Sequence, residues 1–218
     1  MTTFDPEAGY DLYASSYKND HAHLDSFDWE LARAWIQEAL LRADGPLAFL
    51  DAGCGDGRTL ARCWKWSQKQ DFAANLHFFG VDVSNVMLRL AAKRLPQAQF
   101  ARVDLGDPAA CRRWAGGHRP ADLITAFFVL VHFPQIKAFF DAVNELSAAK
   151  ARLIMNTIPQ KSPPELNVHG HRFQIRAWHH EAQDVVATGE AQGWRLVRSQ
   201  EIHEGNQLVS TLLWWEKI

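Results

Sequence analysis

Phe49-Leu50-Asp51-Ala52-Gly53-Cys54-Gly55-Asp56-Gly57-Arg58 is an apolar run that ends in an acid and then carries glycine at every second position. The run begins at Leu47 and is too short for a buried helix, so it reads as a buried strand. Beyond the glycines, apolar residues return at Leu60 and Trp64, four apart, which is helical spacing. The stretch is a strand, a glycine turn and a helix. Upstream, Leu31, Trp35, Ala39 and Leu40 give Trp29–Leu41 one apolar helical face, and Asp44-Gly45-Pro46 stops it. Downstream, apolar runs at Leu76–Val83, Gln97–Val103, Asp122–Val129 and Arg152–Thr157 alternate with helix-like or loop-like stretches. With the first run they make five parallel strands. A helix at Glu181–Gln192 precedes two more strands, Trp194–Ile202 and Gln207–Trp215, joined by Glu204-Gly205-Asn206. The expected fold class is α/β, a mostly parallel sheet closed by a C-terminal antiparallel hairpin, with helices on both faces.

Length and composition set the outer bounds. At 218 residues, 47% hydrophobic and 22% charged, the chain suits one globular domain, 1–218, with a single sizeable core. The formal net charge is −2 and no Lys/Arg block exceeds two residues, so the footprint of a phosphate-backbone binder is missing and no nucleic-acid partner is expected. The three cysteines, Cys54, Cys63 and Cys111, form no CxxC pair and are odd in number, which suits a reducing compartment. No run of about 18 apolar residues occurs and MTTFDPEAGYDLY has no signal-peptide pattern. The expectation is a cytoplasmic protein with no membrane partner, monomeric or homodimeric.

Chemistry concentrates where strands end. Glycines at 53, 55 and 57 leave the backbone bare beside a ligand, and the helix that follows offers free N–H groups to an anionic one. A tight turn with no ligand would use the same glycines, so the neighbouring strand ends matter. Asp82 closes the run Phe78-Phe79-Gly80-Val81-Asp82-Val83, where a carboxylate can accept two ribose hydroxyls. Asp104-Leu105 closes the next run, and the acid with the following N–H can read an adenine edge. Three successive strand ends thus address one adenosine.

Through Phe49–Gly57, Gly80-Val81-Asp82-Val83-Ser84 and Val103-Asp104-Leu105, the sequence resembles the class I S-adenosylmethionine-dependent methyltransferases over nearly its whole length. The resemblance implies a Rossmann-like class I methyltransferase sheet and S-adenosylmethionine as cofactor. It places Gly53, Cys54, Gly55 and Gly57 along the amino-acid part of the cofactor, with Asp51 supporting the loop. Asp82 and Val83 fall at the ribose, Met87 on the adenine face, and Asp104 with Leu105 at the adenine edge. Asp122-Leu123-Ile124-Thr125-Ala126-Phe127-Phe128-Val129-Leu130-Val131-His132-Phe133-Pro134 looks like the fourth-strand segment of small-molecule methyltransferases, with Phe127 and Phe128 flanking the methyl donor. Val131 stands where a first histidine of a pair is frequent, so His132 is expected to pack at a helix start. Tyr10-Asp11-Leu12-Tyr13-Ala14-Ser15-Ser16-Tyr17 resembles the mobile lid of the family, placed within a helical segment 1–45. It holds every tyrosine of the protein, at spacings of three and four that share a helix face. Tyr17 is the expected cofactor contact and Tyr13 an acceptor contact; a packing stripe is the plainer alternative.

Residues 158–178 form an irregular stretch of about 20 residues, longer than usual for a connection, and are expected to hang over the acceptor. The stretch carries Lys161, His169, His171, Arg172 and Arg176 against one acid, Glu165. Arg172, Arg176 and Phe128 are the expected acceptor-binding residues, suited to an anionic or aromatic molecule. Because a sulfonium methyl is already activated, the protein chiefly has to align an O, N, S or C nucleophile. A hydroxyl or thiol would gain from a general base, for which His169, His171 and His23 are candidates; an amine or enolate needs none. No metal is expected, since His169-Gly170-His171 and His179-His180 lack a third ligand at a characteristic spacing. Three other classes fit less well. A nicotinamide dehydrogenase places its ribose acid about 20 residues past the turn, whereas Asp82 lies 82 − 57 = 25 beyond the last glycine. A nucleic-acid methyltransferase would add a basic surface or an Asn/Asp-Pro-Pro-aromatic motif after the fourth strand, where this sequence reads Ala126-Phe127-Phe128-Val129; a protein methyltransferase is the related alternative. A non-catalytic cofactor-binding protein shares the cofactor motifs and would differ only in forming no product.

Overall fold

Along Leu47–Ala52 (β2) every residue is buried and successive side chains point to opposite faces: Leu47 and Phe49 into one apolar cluster, Ala48, Leu50 and Ala52 into another. A strand buried on both sides must lie inside a sheet covered by helices twice. The computed structural model, which describes residues 1–20, 29–42, 45–70 and 75–218, has that form. Its main sheet has seven strands. β3 (Leu76–Asp82) and β4 (Gln99–Arg102) lie to one side of β2, and β5 (Ala121–Ala126) and β6 (Ser147–Thr157) to the other, all parallel. Beyond β6 comes β10 (Gln207–Lys217), antiparallel to it, and at the edge β9 (Trp194–Glu204). The strand order β4-β3-β2-β5-β6-β10-β9 reverses at β2, so the glycine turn stands at the switch point.

One face is covered by α2 (Trp29–Leu41) and α3 (Arg58–Ser67), the other by α5 (Pro108–Gly117), α6 (Ile136–Leu146) and α7 (Ala182–Ala191). Of the remaining helices, α1 (Pro6–Asp20) is capped by Asp5, which accepts from Ala8 N–H at 2.9 Å, and α4 (Asn85–Arg94) by Ser84, which accepts from Met87 N–H at 3.1 Å. Among the described residues no helix is long and apolar enough to cross a membrane.

The structure departs from the sequence reading in two segments, 1–45 and 158–178. The segment 1–45 is not wholly helical, since Thr2–Phe4 is a strand (β1). The stretch 158–178, expected to be irregular, holds β7 (Leu166–Val168) and β8 (His171–Ile175). They form a hairpin whose turn uses positive φ at His169 (50°) and Gly170 (85°), and β1 adds to β8 in parallel. Strands of three and five residues show one or two apolar alternations, Leu166/Val168 and Phe173/Ile175, too few to stand out as a period. With α1 this small sheet has its own core of Tyr13, Val168, Phe173 and Ile175. Gly9 lets the helix lie flush on it, since a Cβ there would come within 2.6 Å of Ile175.

At the other end Trp194, Trp214 and Trp215 are wholly buried, and Trp215 meets Phe140 edge to face at 5.6 Å between ring centroids. The indole Nε1 of Trp215 is buried without a hydrogen-bond partner. Trp215→Ala should therefore cost about 3–5 kcal/mol, seen as a large fall in melting temperature, whereas Trp215→Phe, which also removes the orphan N–H, should stay near wild type.

Candidate active site

Three cavities meet above the carboxyl ends of β2, β3 and β5, and the glycine turn makes the floor of two of them. Gly53, Gly55 and Gly57 have φ of 74°, 50° and 75°. A Cβ at Gly53 would come within 2.4 Å of Val129, and one at Gly57 within 2.9 Å of Ala91, so backbone conformation and space both demand glycine. Over Gly55 there is nothing within 4 Å, which leaves a bare cradle. The turn is tied to β3 by Gly53 and Cys54 N–H groups that donate to Val81 O, at 2.8 and 3.0 Å. Behind it, buried Asp56 accepts from Arg94 at 2.6 Å and from Arg58 at 3.0 Å, which locks α3 to α4.

The first cavity, about 490 Å³, runs from Gly53 and Gly55 past Asp82, Val83 and Met87 to Asp104 and Leu105. Asp82 Oδ2 accepts from Gly55 N–H at 2.8 Å and Oδ1 from Ser84 N–H at 2.9 Å. Burial raises its carboxyl above the usual range, against those backbone bonds that lower it. Each oxygen keeps a second lone pair for a ligand hydroxyl. Met87 is 1% exposed in the wall, while Asp104 is exposed and orders its own turn through Gly106 N–H at 2.8 Å. A second, smaller cavity of about 90 Å³ lies at the opposite end of the turn, between Asp51, Cys54, Arg58 and Tyr17. An acid and a cation there suit a zwitterionic group. The two cavities share Gly53 and Gly55, so carboxylate lone pairs at one end and an acid beside a cation at the other face one cleft, joined by the bare Gly55 cradle.

The third cavity is the largest, about 660 Å³, and its walls are mainly aromatic and aliphatic, among them Tyr13, Val131, Ile158, Trp178 and Leu208. It shares Tyr10, Tyr17, Phe128 and His132 with the first cavity. The three tyrosines do share one face of α1, in edge-to-face contact at 6.3 Å (Tyr10–Tyr17) and 5.7 Å (Tyr13–Tyr17). Tyr13 is buried against Phe173, and Arg58 lies over the Tyr17 ring at 4.9 Å. Phe127 lines the two smaller cavities and Phe128 all three.

His132 differs most from its reading as a packing residue. It lies in a one-turn 3₁₀ segment, Leu130–His132. Its Nδ1 is 2.9 Å from Arg176 O and its Nε2 is 3.0 Å from Tyr10 Oη. A carbonyl only accepts, so Nδ1 carries the proton, and Nε2 is left to accept from the Tyr10 hydroxyl. Burial lowers the His132 pKa from the usual 6.5, so the ring is neutral at pH 7, and burial first, then Tyr17 and Asp82, drives the Tyr10 pKa well up. A one-residue context, Val131 before His132, held no sign of this, because its partners come from 122 and 44 residues away.

The imidazoles expected from the sequence to act as bases lie elsewhere, whereas His179 lines the large cavity. His169 and His171 are exposed on the β7–β8 hairpin and line none of the three cavities; His23 falls outside the described residues. Arg172 is exposed and taken up by Glu165, with one contact at 2.6 Å, and the exposed Arg176 contributes its carbonyl to His132. The Lys or Arg that does line the large cavity is Lys161. Among the described residues no group of three or more His, Cys, Asp or Glu could hold a metal ion.

A family model described as a methyltransferase domain matches residues 50–153. The fold is similar to that of magnesium protoporphyrin IX methyltransferase from Synechocystis PCC 6803 with bound SAH, at 19% identity over 97% of this chain and 94% of that one, TM-score 0.62. It is similar to a TehB-like SAM-dependent methyltransferase from Corynebacterium glutamicum, at 17% identity over 97% and 99%, TM-score 0.66. The DhpI–SAH complex matches at 18% over 96% and 94%, TM-score 0.66. A comparison with curated proteins finds no match to the sequence.

Asp51 gives this site a pH signature. It is 3% exposed and accepts from Thr125 Oγ1 at 2.6 Å, and burial pushes its pKa from 3.8 up to about 7. A folded pKa above the unfolded one means that the neutral acid stabilises the fold below the unfolded value and that this is lost as pH rises through about 7. In ligand-free protein Asp51→Asn should gain in melting temperature on wild type between pH 5 and pH 8; parallel melting curves across that range would contradict the assignment.

Proposed function

We propose that the chain is a class I S-adenosylmethionine-dependent methyltransferase, a reading supported by the methyltransferase domain matched over residues 50–153, and that it methylates a largely apolar, ring-bearing small molecule at a weakly acidic O–H or N–H. The observation that carries this reading is the wall common to the first cavity and the large cavity, where Tyr10 and His132 form a hydrogen-bonded pair.

Bound in the glycine cleft, S-adenosylmethionine supplies a methyl group on a positively charged sulfur that asks only for an aligned nucleophile. Asp82 would hold the ribose hydroxyls, Met87 and Leu105 the adenine, Asp104 its edge, and Asp51 with Arg58 the amino-acid end. The protein's own chemical task is the acceptor proton. As the acceptor atom gives up its O–H or N–H proton to the Tyr10 oxygen, the Tyr10 hydroxyl proton passes to His132 Nε2. His132 then carries a proton on each ring nitrogen, and the Arg176 carbonyl, already accepting from Nδ1, is placed to stabilise that charge. Tyr10 need not ionise on its own, which accords with its raised pKa. Aromatic and aliphatic walls favour a ring system, and Lys161 offers a contact for a carboxylate on it. The solved relatives whose printed names include a substrate, such as magnesium protoporphyrin IX methyltransferase, act on small molecules, which supports the same class of acceptor.

Turnover with S-adenosylmethionine should be followed as S-adenosylhomocysteine released over a panel of phenols, naphthols and hydroxybenzoates. Tyr10→Phe and His132→Gln are expected to lower kcat roughly 10²-fold or more while S-adenosylhomocysteine affinity, read by calorimetry, stays within about twofold. Because His132 must be neutral to accept, kcat should rise with pH through a value below 6.5, and this limb should vanish in His132→Gln. Unchanged kcat in both variants would remove the relay. Lys161→Gln should raise KM for a hydroxybenzoate and leave that for the matching uncharged phenol alone; equal effects would remove the anion contact.

A further inference from the structure

The run from Leu123 to Val131 contains one polar residue, Thr125, and reads as a strand that continues through Val129, yet β5 stops at Ala126. Two residues later Phe128 has φ 61°, in the left-handed region that a bulky side chain avoids. The other non-glycine residue in that region among the described residues is His169, on an exposed hairpin turn. Phe128 is different: it lines all three cavities, a place that Tyr17 alone shares with it.

Asn156 explains why the chain turns there. Ala126 pairs with Met155 as the last step of the β5–β6 ladder, and Asn156 is the next residue of β6. Its side-chain Oδ1 accepts Phe128 N–H at 2.7 Å. The bond that would continue the ladder is thus made to a side chain. Asn156 is 2% exposed, and its Nδ2 donates to Ser210 Oγ at 3.3 Å on β10, itself 1% exposed. Leu212 pairs with Asn156 in the β10–β6 ladder, so its backbone is held on the opposite side. A buried amide fixed on two sides can impose a conformation that Phe128 would not take by itself.

We propose that Asn156 is a positioning residue for methyl transfer: by holding Phe128 in its left-handed conformation it sets the partition between the cofactor cleft and the acceptor cavity. The proposal rests on the small-molecule methyl-transfer reading and adds to it a residue that lines none of the three cavities. Without the Asn156 oxygen, Phe128 N–H loses its buried acceptor and the residue relaxes toward the extended conformation, continuing β5 and withdrawing Phe128 from the junction. The contacts that the ends of β2, β3 and β4 offer the cofactor stay in place. The approach of the acceptor does not.

The test uses the full chain and three variants. Asn156→Leu should lower kcat at least tenfold with the panel acceptor that wild type turns over fastest, and leave S-adenosylhomocysteine affinity within twofold. Asn156→Asp, which keeps an acceptor oxygen at the same place, should restore kcat to within about threefold of wild type. Phe128→Gly, which takes positive φ without strain and keeps the N–H bond but has no ring, should lose kcat as Asn156→Leu does, and reads the partition if Asn156→Leu fails to fold. Independently of any acceptor, amide hydrogen exchange at Phe128 should be at least tenfold faster in Asn156→Leu than in wild type. The proposal is overturned by unchanged kcat in Asn156→Leu or in Phe128→Gly, by cofactor affinity falling in step with kcat, or by a Phe128 amide as protected as in wild type. A wild type that binds S-adenosylhomocysteine but turns over no panel member tells against the acceptor reading instead, and the exchange measurement still decides on Asn156.

Discussion

Two backbone N–H groups, of Gly55 and Ser84, converge on the carboxylate of Asp82 from different loops. That carboxylate stands at the end of β3, beside β2, and without it the glycine turn and the start of α4 would have no common anchor. Left-handed φ at Gly53, Gly55 and Gly57 brings the turn within reach, and the Asp56 ion pairs with Arg58 and Arg94 hold its far side. The result is a floor with little freedom to move and no side chain over Gly55, a preformed cradle for a large polar ligand. The cost is an acid, Asp51, buried beneath the turn with its pKa driven up to about 7.

The acceptor side is built on another plan. A helix, a parallel strand from the chain start and a short hairpin make a cap whose core is four buried side chains. It reaches the main body through a few specific contacts. Trp178 N–H donates to Val131 O at 2.7 Å, Tyr10 Oη meets His132 Nε2 at 3.0 Å, and Asp11 on α1 accepts from Ser84 Oγ. The same contacts place the Arg176 carbonyl and the Tyr10 hydroxyl on the two nitrogens of one imidazole. Cap docking and the polarity of His132 are therefore one event. A small core with few ties is also the part of a structure that opens at least cost, which suits a cover over a cavity that ligands must enter.

Legibility differed between these two halves for a physical reason. Residues of the cofactor side lie at strand ends, each within a segment whose apolar period and glycine spacing are local, and the structure gathers Gly53, Gly55, Asp82, Val83, Met87, Asp104 and Leu105 around one cavity. On the acceptor side, charge and histidine content drew attention to His169, His171, Arg172 and Arg176, which the hairpin turns outward. An imidazole's composition says nothing of its partners. His132 and Asn156 acquire theirs across the sheet, from 122 and 28 residues away, so no window of sequence holds the interaction.

The sequence by itself determined the α/β alternation, the glycine turn at the switch point, the acid at the end of each neighbouring strand and the closing antiparallel hairpin. Each depends on short-range steric and hydrophobic rules: φ above zero wants glycine, burial on both faces wants an unbroken apolar run, and a tight reversal wants turn residues. Only the tertiary structure decided where β5 leaves the sheet, which histidine meets a tyrosine and which lies in solvent, and that 158–178 folds as a strand pair against the chain start. Those outcomes depend on hydrogen bonds between distant segments. Their free energy exists only once the sheet has brought the segments together.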